Sequence, residues 1–375
     1  MLPKSLLFVL LSGFAFLQGC INPVCTYYDP AGRHSSRVVD TIAFGSCFDP
    51  RRGGAESWPN VASVEPDVFI MLGDNMYGDT DDMNVMRQKW DELDAIPPFK
   101  TLKDNTVFLA TWDDHDYGRN DAGAEYEWRE ESQQVFLDWA GEPTGTYRRT
   151  SGGVFDVENV SGPNGEIVQF IILDTRFFRS ELTLGENESP RSSGIGGRYV
   201  PTTDPDATLL GKEQWQWLEW QLRQPADLRI ISSSIQVLAE DHRYEKWANM
   251  PAERKRLFDL MKRTNAEGVI FISGDRHRAE ISKFDPDRAM PGSGNFDRYP
   301  IFDVTSSALN RSSQGRFFED RFGNEINRHA LGQQYQANNF GTIIIDWDAR
   351  QVTMGIHGDD GEPRMTATVG IDELK

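Results

Sequence analysis

The sequence predicts an α/β layered domain, and three observations carry the prediction. Short apolar runs rich in β-branched residues recur along the 375 residues. Stretches with apolar residues at helical spacing separate those runs. Composition is that of a globular protein, 38% hydrophobic and 26% charged, and the length suffices for one large domain or two modest ones. No internal repeat or low-complexity tract argues for another architecture.

At the amino terminus Lys4 precedes an apolar stretch, LLFVLLSGFAFL (Leu6 to Leu17), and Gln18-Gly19-Cys20 follows. The stretch suits a signal-peptide core and is too short for a comfortable membrane span. The run LQGC resembles a bacterial lipobox, in which the cysteine becomes lipidated and the new amino terminus. A plain secretory signal with an incidental Cys20 is the alternative. On the lipobox reading, residues 1–19 are signal peptide, residues 20–37 a polar, turn-rich linker, and residues 38–375 the working domain. Acyl chains contribute roughly 0.8 kcal/mol per buried CH2, so they would anchor an otherwise soluble domain. The expected location is therefore outside the cytoplasm, tethered to a membrane surface. Ile21, where an inner-membrane retention aspartate would stand, slightly favours the outer membrane.

Net charge is −19, and loss of the signal with Lys4 leaves −20. That balance argues against a general grip on nucleic acid, which needs clustered cations. It permits small anionic substrates where bound cations reverse the sign locally. Only three cysteines are present. With Cys20 lipidated, Cys25 and Cys47 either pair as a disulfide or leave Cys47 for another role.

The expected strands are Val38–Phe44, Val68–Leu72, Val107–Thr111, Val168–Leu173, Leu228–Ser232, Val269–Ser273, Ile301–Val304 and Thr342–Trp347. Between them lie helical patterns. Asp81–Leu93 opens on acidic residues suited to a helix start. Glu125–Trp139 puts Val135, Phe136 and Trp139 on one face, and Gly211–Leu222 does the same with Trp215, Leu218 and Leu222. Pro251–Lys262 repeats the pattern. These aromatics read as core rather than as a substrate platform. Leu182–Asp206, rich in Gly, Ser, Pro and Thr, reads as a surface loop that borders a cleft.

Four expected strands end in potential ligands. They lead into Ser46-Cys47-Phe48-Asp49, into Gly73-Asp74 and Tyr77, into Asp113-Asp114-His115-Asp116 with Asn120-Asp121, and into Gly274-Asp275-Arg276-His277. Functional groups gather beyond the carboxyl ends of strands in α/β sheets. Any one of these ends is an ordinary turn; four together point to a metal site. Carboxylate, imidazole, thiolate and phenolate suit a high-charge iron-type ion, while carboxylate and amide oxygens suit a harder divalent ion. Two such ions, roughly 3.5–4 Å apart, can share a carboxylate and clamp an in-line displacement at phosphorus. Glycine before Asp74 and before Asp275 would let the backbone turn sharply beside the site.

The segments IAFGSC, GDNMYGD, TWDDHDYGRND, IILDTRFFR, LLGKEQWQWLEWQL, SSSIQVL and SGDRHRAE follow one another as in the alkaline phosphatase D family of calcineurin-like metallophosphatases, which this chain resembles from about Ile42 to Ser307. It looks like a short member, without the amino-terminal β domain and twin-arginine signal of longer relatives. The resemblance implies two mixed β-sheets packed as a sandwich and flanked by helices (α/β/β/α). It implies iron(III) on residues matching Cys47, Asp74, Tyr77 and His277. It also implies a second ion, expected to be Ca2+, on the shared Asp74 with Asn120 and Asp275. Asp114 is either a further ligand or a group behind the ligands. Cys47 stands where most metallophosphatases have aspartate, which favours the thiolate over the disulfide.

His115 follows Asp114 as the acid follows asparagine in the GNH element of related phosphatases. His242 and Gln236 lie in a region resembling the family's SSxIQ segment and are candidates for the cleft. Each histidine has an alternative as a structural hydrogen-bond partner. Arg176 is either a phosphate clamp or a structural salt bridge. Phe178 replaces a tyrosine usual in relatives. The expected reaction is phosphoric ester hydrolysis by a metal-bound hydroxide, with His115 or His242 protonating the leaving group. Ser46 would be dispensable. Phosphodiesters of glycerophosphodiester or teichoic-acid-like type are an alternative substrate class, and a non-catalytic surface-binding lipoprotein is the alternative outside enzymes.

Overall fold

The computed structural model describes residues 33–53, 57–186, 198–286, 296–314 and 327–375. The expected signal peptide, Cys20 and Cys25 lie outside the described residues. In chain order the strands are β1 (Arg33–Val38), β2 (Thr41–Gly45), β3 (Val68–Leu72), β4 (Val107–Thr111), β5 (Asp156–Ser161), β6 (Ile167–Ile172), β7 (Leu228–Ser233), β8 (Val269–Ser273), β9 (Ala279–Phe284), β10 (Ile301–Ser306), β11 (Asn339–Asp346), β12 (Gln351–Gly358) and β13 (Pro363–Gly370). The helices are α1 (Ser57–Ser63), α2 (Met83–Asp94), α3 (Pro97–Asn105), α4 (Asp114–Tyr117), α5 (Arg129–Trp139), α6 (Gly211–Leu222) and α7 (Pro251–Thr264).

Two mixed sheets form. One runs β1-β5-β6-β7-β8-β10-β9, the other β13-β12-β11-β2-β3-β4. Strands β6, β7, β8 and β10 are mutually parallel, as are β2, β3 and β4, while β11, β12 and β13 are antiparallel. The pleat explains the layers. On β3, Val68, Ile70 and Leu72 enter the core between the sheets, whereas Phe69 and Met71 face the opposite way, among Trp58, Trp90, Phe99 and Phe136. A strand covered on both faces reads as a continuous apolar run, and every residue of β3 is buried. Helices α1, α2, α3 and α5 close that outer face. Helices α6 and α7 cover the other sheet through Trp215, Leu218, Leu222, Leu257, Phe258 and Met261. Each such buried side chain contributes on the order of 1.5–3 kcal/mol. The α/β/β/α order expected from the sequence is the one observed.

The run expected as one strand at Val38–Phe44 is divided. Its first residue ends β1 in one sheet, and Thr41 starts β2 in the other. Asp67 secures the crossing, its Oδ2 accepting the N–H groups of Asp40 and Thr41 at 3.0 Å each. Strand β1 thus occupies the last residues of the stretch expected to be linker.

Register sets up the site. Phe44 pairs with Ile70, and Leu72 with Thr111, so β2, β3 and β4 end side by side. Strands β7 and β8 end level in the facing sheet, Ser233 against Ser273. The chain beyond all five strand ends therefore converges across the top of the sandwich.

Candidate metal centre

Backbone strain marks the convergence. Nine non-glycine residues among those described have positive φ, and six of them lie here: Cys47 (58°), Asp74 (49°), Asp79 (47°), Asp121 (55°), Asp275 (69°) and His277 (55°). Such conformations cost energy and persist where surrounding contacts impose them. Gly73 has φ of 100°, and a Cβ there would lie 2.5 Å from Asp113 Cβ. A Cβ on Gly274 would lie 2.7 Å from Ser46 Oγ and 3.0 Å from Ser234 O. Both glycines allow the close approach their positions in the sequence suggested.

Asp74 is the centre of the arrangement. Its Oδ2 accepts from Tyr77 Oη at 2.9 Å and from Cys47 Sγ at 3.5 Å. Tyr77 Oη lies 3.1 Å from His277 Nε2. The other oxygen, Oδ1, is 3.4 Å from the backbone N of His115, which also donates to Asp114 Oδ1 at 2.9 Å. Two donor sets result, each with its ligand atoms within 4.8 Å of one another: Cys47, Asp74 and His277, and Asp74, Asp114 and His115. They share Asp74. Cys47 is buried and forms no disulfide among the described residues.

The electrostatics call for a cation. Burial first, then the Asp74 charge, pushes the Cys47 thiol and the Tyr77 phenol well above their ordinary ranges, with Arg311 opposing at Tyr77. Burial and the neighbouring carboxylates Asp113 and Asp114 also push Asp74 and Asp275 up, against the pull of His115 on Asp74 and of Arg276 on Asp275. So many buried acids lose protons together only when positive charge is supplied. The donor types and their crowding fit bound metal ions.

A ring of supporting contacts holds the ligands. Asp116 Oδ1 accepts from the backbone N of Asp74 at 3.0 Å and of Asp113 at 2.8 Å, and its Oδ2 accepts from Asn75 N at 3.0 Å. It ties the chain after β3 to the chain after β4. Asp121 N donates to Asp114 Oδ2 at 2.7 Å, while Asp121 Oδ2 accepts from Arg198 and Tyr199 Oη at 2.6 Å each. The long loop expected to border the cleft reaches the site in this way, at its described end. Asp79 Oδ1 meets His115 Nδ1 at 2.5 Å. Asp114, Asp74 and Asp79 push His115 up to about 11 despite the opposing effect of burial; cations on the first two would weaken that pull.

Two expected residues have other duties. Arg176 is fully buried. Its Nε donates to Asp113 Oδ1 at 2.6 Å, and its guanidinium pairs with Glu245 at 2.7 Å, so the salt bridge replaces the phosphate clamp. Burial among Arg276, Lys246 and Arg278 lowers His242 well below the usual imidazole range. Its Nδ1 accepts from Tyr244 N at 3.2 Å, which leaves Nε2 to donate to Gln236 Oε1 at 2.9 Å. A neutral ring with both nitrogens engaged is a poor acid, and Gln236 turns to His242, Glu280 and Thr305. Asn120 is exposed in the turn after α4. Asp275 lies next to Arg276 at 3.5 Å and outside both tight sets. Phe178 packs on Phe177.

From the sequence, Asp116 and Asp121 stand only among the potential ligands of the third strand end, and neither Asp79 nor Arg311 has a duty at the site. Asp116 had a local signal, a carboxylate three residues after Asp113 at a helix start. The other three act across long sequence separations.

A family model described as PhoD-like phosphatase matches residues 84–356. Alkaline phosphatase D of Bacillus subtilis (strain 168) is 24% identical over 284 residues, which cover 66% of this chain and 47% of that protein. The chain thus spans about half the length of that curated relative. Among solved structures, one described as PhoD aligns with a TM-score of 0.60 and 18% identity over 90% of this chain and 69% of that one. Purple acid phosphatase PPD1 from yellow lupin (Lupinus luteus) seeds aligns at 0.53 and 11%, covering 89% and 54%. GAP50, described as the anchor in the inner membrane complex of Plasmodium, aligns at 0.52 and 14%, covering 90% and 91%. Likeness at these identities speaks to the fold.

Proposed function

The chain belongs to the PhoD-like phosphatase family, and from that premise we propose that it is a metal-dependent phosphoric ester hydrolase working at an Asp74-centred site. The observation that carries the reading is the pair of donor sets that share Asp74. Cys47, Asp74, Tyr77 and His277 would hold one ion, with iron(III) the assignment favoured by thiolate, phenolate and imidazole donors. Asp74 and Asp114, with Asp275 and Asn120 at the margin, would hold a second, divalent ion for which calcium suits the oxygen donors. Bound there, the ions would supply Lewis acidity toward the phosphate oxygens and an activated water.

The chain's own residues do the rest. Asp116 and Asp121 fix the carboxylates that need to converge. Asp79 engages Nδ1 of His115 and leaves Nε2 to carry a proton to the departing oxygen. Arg176 neutralises Asp113 behind the site. Ser46 has no covalent role, since its hydroxyl is turned to Ser306 O at 3.3 Å.

GAP50 shows that this fold is also found in a protein described as an anchor. The convergence of the donors of Asp74, Cys47, Tyr77 and His277 favours turnover here over binding alone. Metal analysis of the purified, signal-free chain beside assays on aryl phosphate mono- and diesters tests the reading. Asp74→Asn should lose metal and hydrolysis together, and full activity in that variant would sink it. The ratio of monoester to diester rates selects between a phosphomonoesterase and an enzyme for glycerophosphodiester or teichoic-acid-like linkages.

Export with lipid on Cys20 completes the proposal. It rests on the Leu6–Leu17 stretch and the LQGC run. Among the described residues no helix is long and apolar enough to cross a membrane. A mass spectrum of the amino-terminal peptide should show acylated Cys20, and an intact residue 1 would refute it.

A further inference from the structure

We propose that Arg311 is the substrate-phosphate anchor of this site, an assignment that rests on the hydrolase reading above. The segment carrying it is strapped to both ligand-bearing loops of the first donor set. Leu309 N donates to Ser46 O at 3.0 Å, and Ser313 N to His277 O at 2.9 Å. Asn310 Oδ1 accepts from Asp49 N at 2.7 Å, and its Nδ2 donates to Asp49 O at 2.8 Å. The backbone of Arg311 is therefore fixed between Cys47 and His277.

The side chain then lies over the Tyr77 ring, with the guanidinium carbon 3.6 Å from the ring centroid. Tyr77 Oη is within the cluster, so a positive fork sits at the margin of the expected metal centre. The side chain is 19% exposed, so the fork is within reach of a ligand entering from solvent. Among the described residues, none takes up the donors of that fork in a hydrogen bond. Nε is buried without a hydrogen-bond partner. Among the described residues the carboxylate it approaches, Asp49, is 3.9 Å from Nη1, beyond hydrogen-bond reach. Asp49 is already engaged by Arg51, whose Nε and Nη2 donate at 3.0 and 3.3 Å.

A buried guanidinium N–H without an acceptor is costly unless a ligand supplies one. A planar fork matches two oxygens of a tetrahedral phosphate, and charge-assisted pairs of this kind are the strong ones. The contact with the Tyr77 ring holds the guanidinium beside the cluster and limits the freedom lost on binding. A simple structural cation would instead be expected to close on Asp49. Arg311 thus takes the role that the sequence suggested for Arg176.

The test measures binding of inorganic phosphate to the metal-loaded protein by calorimetry, with metal content and Tm followed in parallel. Arg311→Met keeps the apolar stem on Tyr77 and removes the fork; Arg311→Lys keeps the charge alone. Phosphate affinity should fall about tenfold or more in the Met variant and recover in part in the Lys variant, with metal content and Tm held. The KM for aryl phosphate should rise in step. Phosphate affinity within about twofold of wild type in the Met variant would overturn the assignment. So would loss of metal in proportion to loss of affinity, which would make Arg311 a support for Tyr77. A wild-type chain that binds phosphate through Arg311 yet hydrolyses no ester would reject the hydrolase reading and leave this one standing.

Discussion

An imidazole can deliver a proton to a leaving oxygen only if it is held in place while one ring nitrogen stays free to reach the substrate. Here Asp79 holds Nδ1 of His115, and the His115 ring packs against Tyr77 with centroids 4.3 Å apart. Asp79→Asn removes the charge that fixes the ring while leaving every expected metal ligand in place. We expect kcat to fall about 10–100-fold with metal content unchanged. The loss should be larger for an alkyl phosphate than for a nitrophenyl phosphate, whose leaving group needs little protonation. Equal losses on the two esters would show that Asp79 does not serve proton transfer. Read from the sequence alone, Asp79 is a turn or helix-start residue; in the fold it lies in coil ahead of Asp82, the residue that caps α2, and its backbone N bonds His115 O at 3.2 Å. What the sequence could not carry was the side-chain contact, made between residues 36 apart.

Elements with a two-sided apolar pattern were legible because burial on both faces leaves no polar position to blur the run. Strands β3, β4 and β8 fall on Val68–Leu72, Val107–Thr111 and Val269–Ser273, as expected. Among the strands that escaped notice, β5 at Asp156–Ser161 carries charge, β13 at the edge of its sheet is largely exposed, and β12 is interrupted by glycine and polar residues. Their partners, not their own sequence, make them strands. The same limit applied at the site. Ligand types at strand ends were readable, while the contacts of Arg176, His242 and Arg311 depended on which elements meet. Helix α7 illustrates such a meeting with a testable consequence. Arg254 on α7 donates to Val237 O, Leu238 O and Glu240, fastening the helix to the chain after β7. Although burial opposes it, hydrogen bonding to His329 and the Arg254 charge hold Glu240 down at about 2. A folded-state value below the ordinary carboxylate range means that this stabilisation is complete above about pH 4.5 and fades as pH falls toward 2. Glu240→Gln should lower the Tm at neutral pH and lose less than wild type over that acid interval. Parallel acid limbs for the two proteins, measured by scanning calorimetry, would contradict this.

At the scale of the molecule, the expected metal centre lies where the two sheets meet, and each contributes ligands. Cys47, Asp74 and Asp114 extend from β2, β3 and β4 of one sheet, while Asp275 and His277 extend from β8 of the other. Without cations, burial and neighbouring negative charge, that of Asp114 included, oppose the ionisation of Asp74, Asp113 and Asp275. Bound ions would remove that repulsion and bridge the sheets at the end where the main chain is most strained. A ligand that binds only the folded state stabilises it by about 2.7 kcal/mol at a hundred times its dissociation constant. Chelation should therefore lower the Tm of the loaded protein by several degrees, and returning metal should restore it. Asp74→Asn, which lacks the shared ligand, should show a Tm nearly indifferent to either treatment. The comparison separates a stabilising centre from a surface cation effect, because nonspecific binding to a chain of charge −19 would be nearly the same in both proteins. A wild-type Tm unmoved by chelator under conditions that strip the metal would mean that the sandwich holds its acidic end together unaided, and that the centre contributes to catalysis alone.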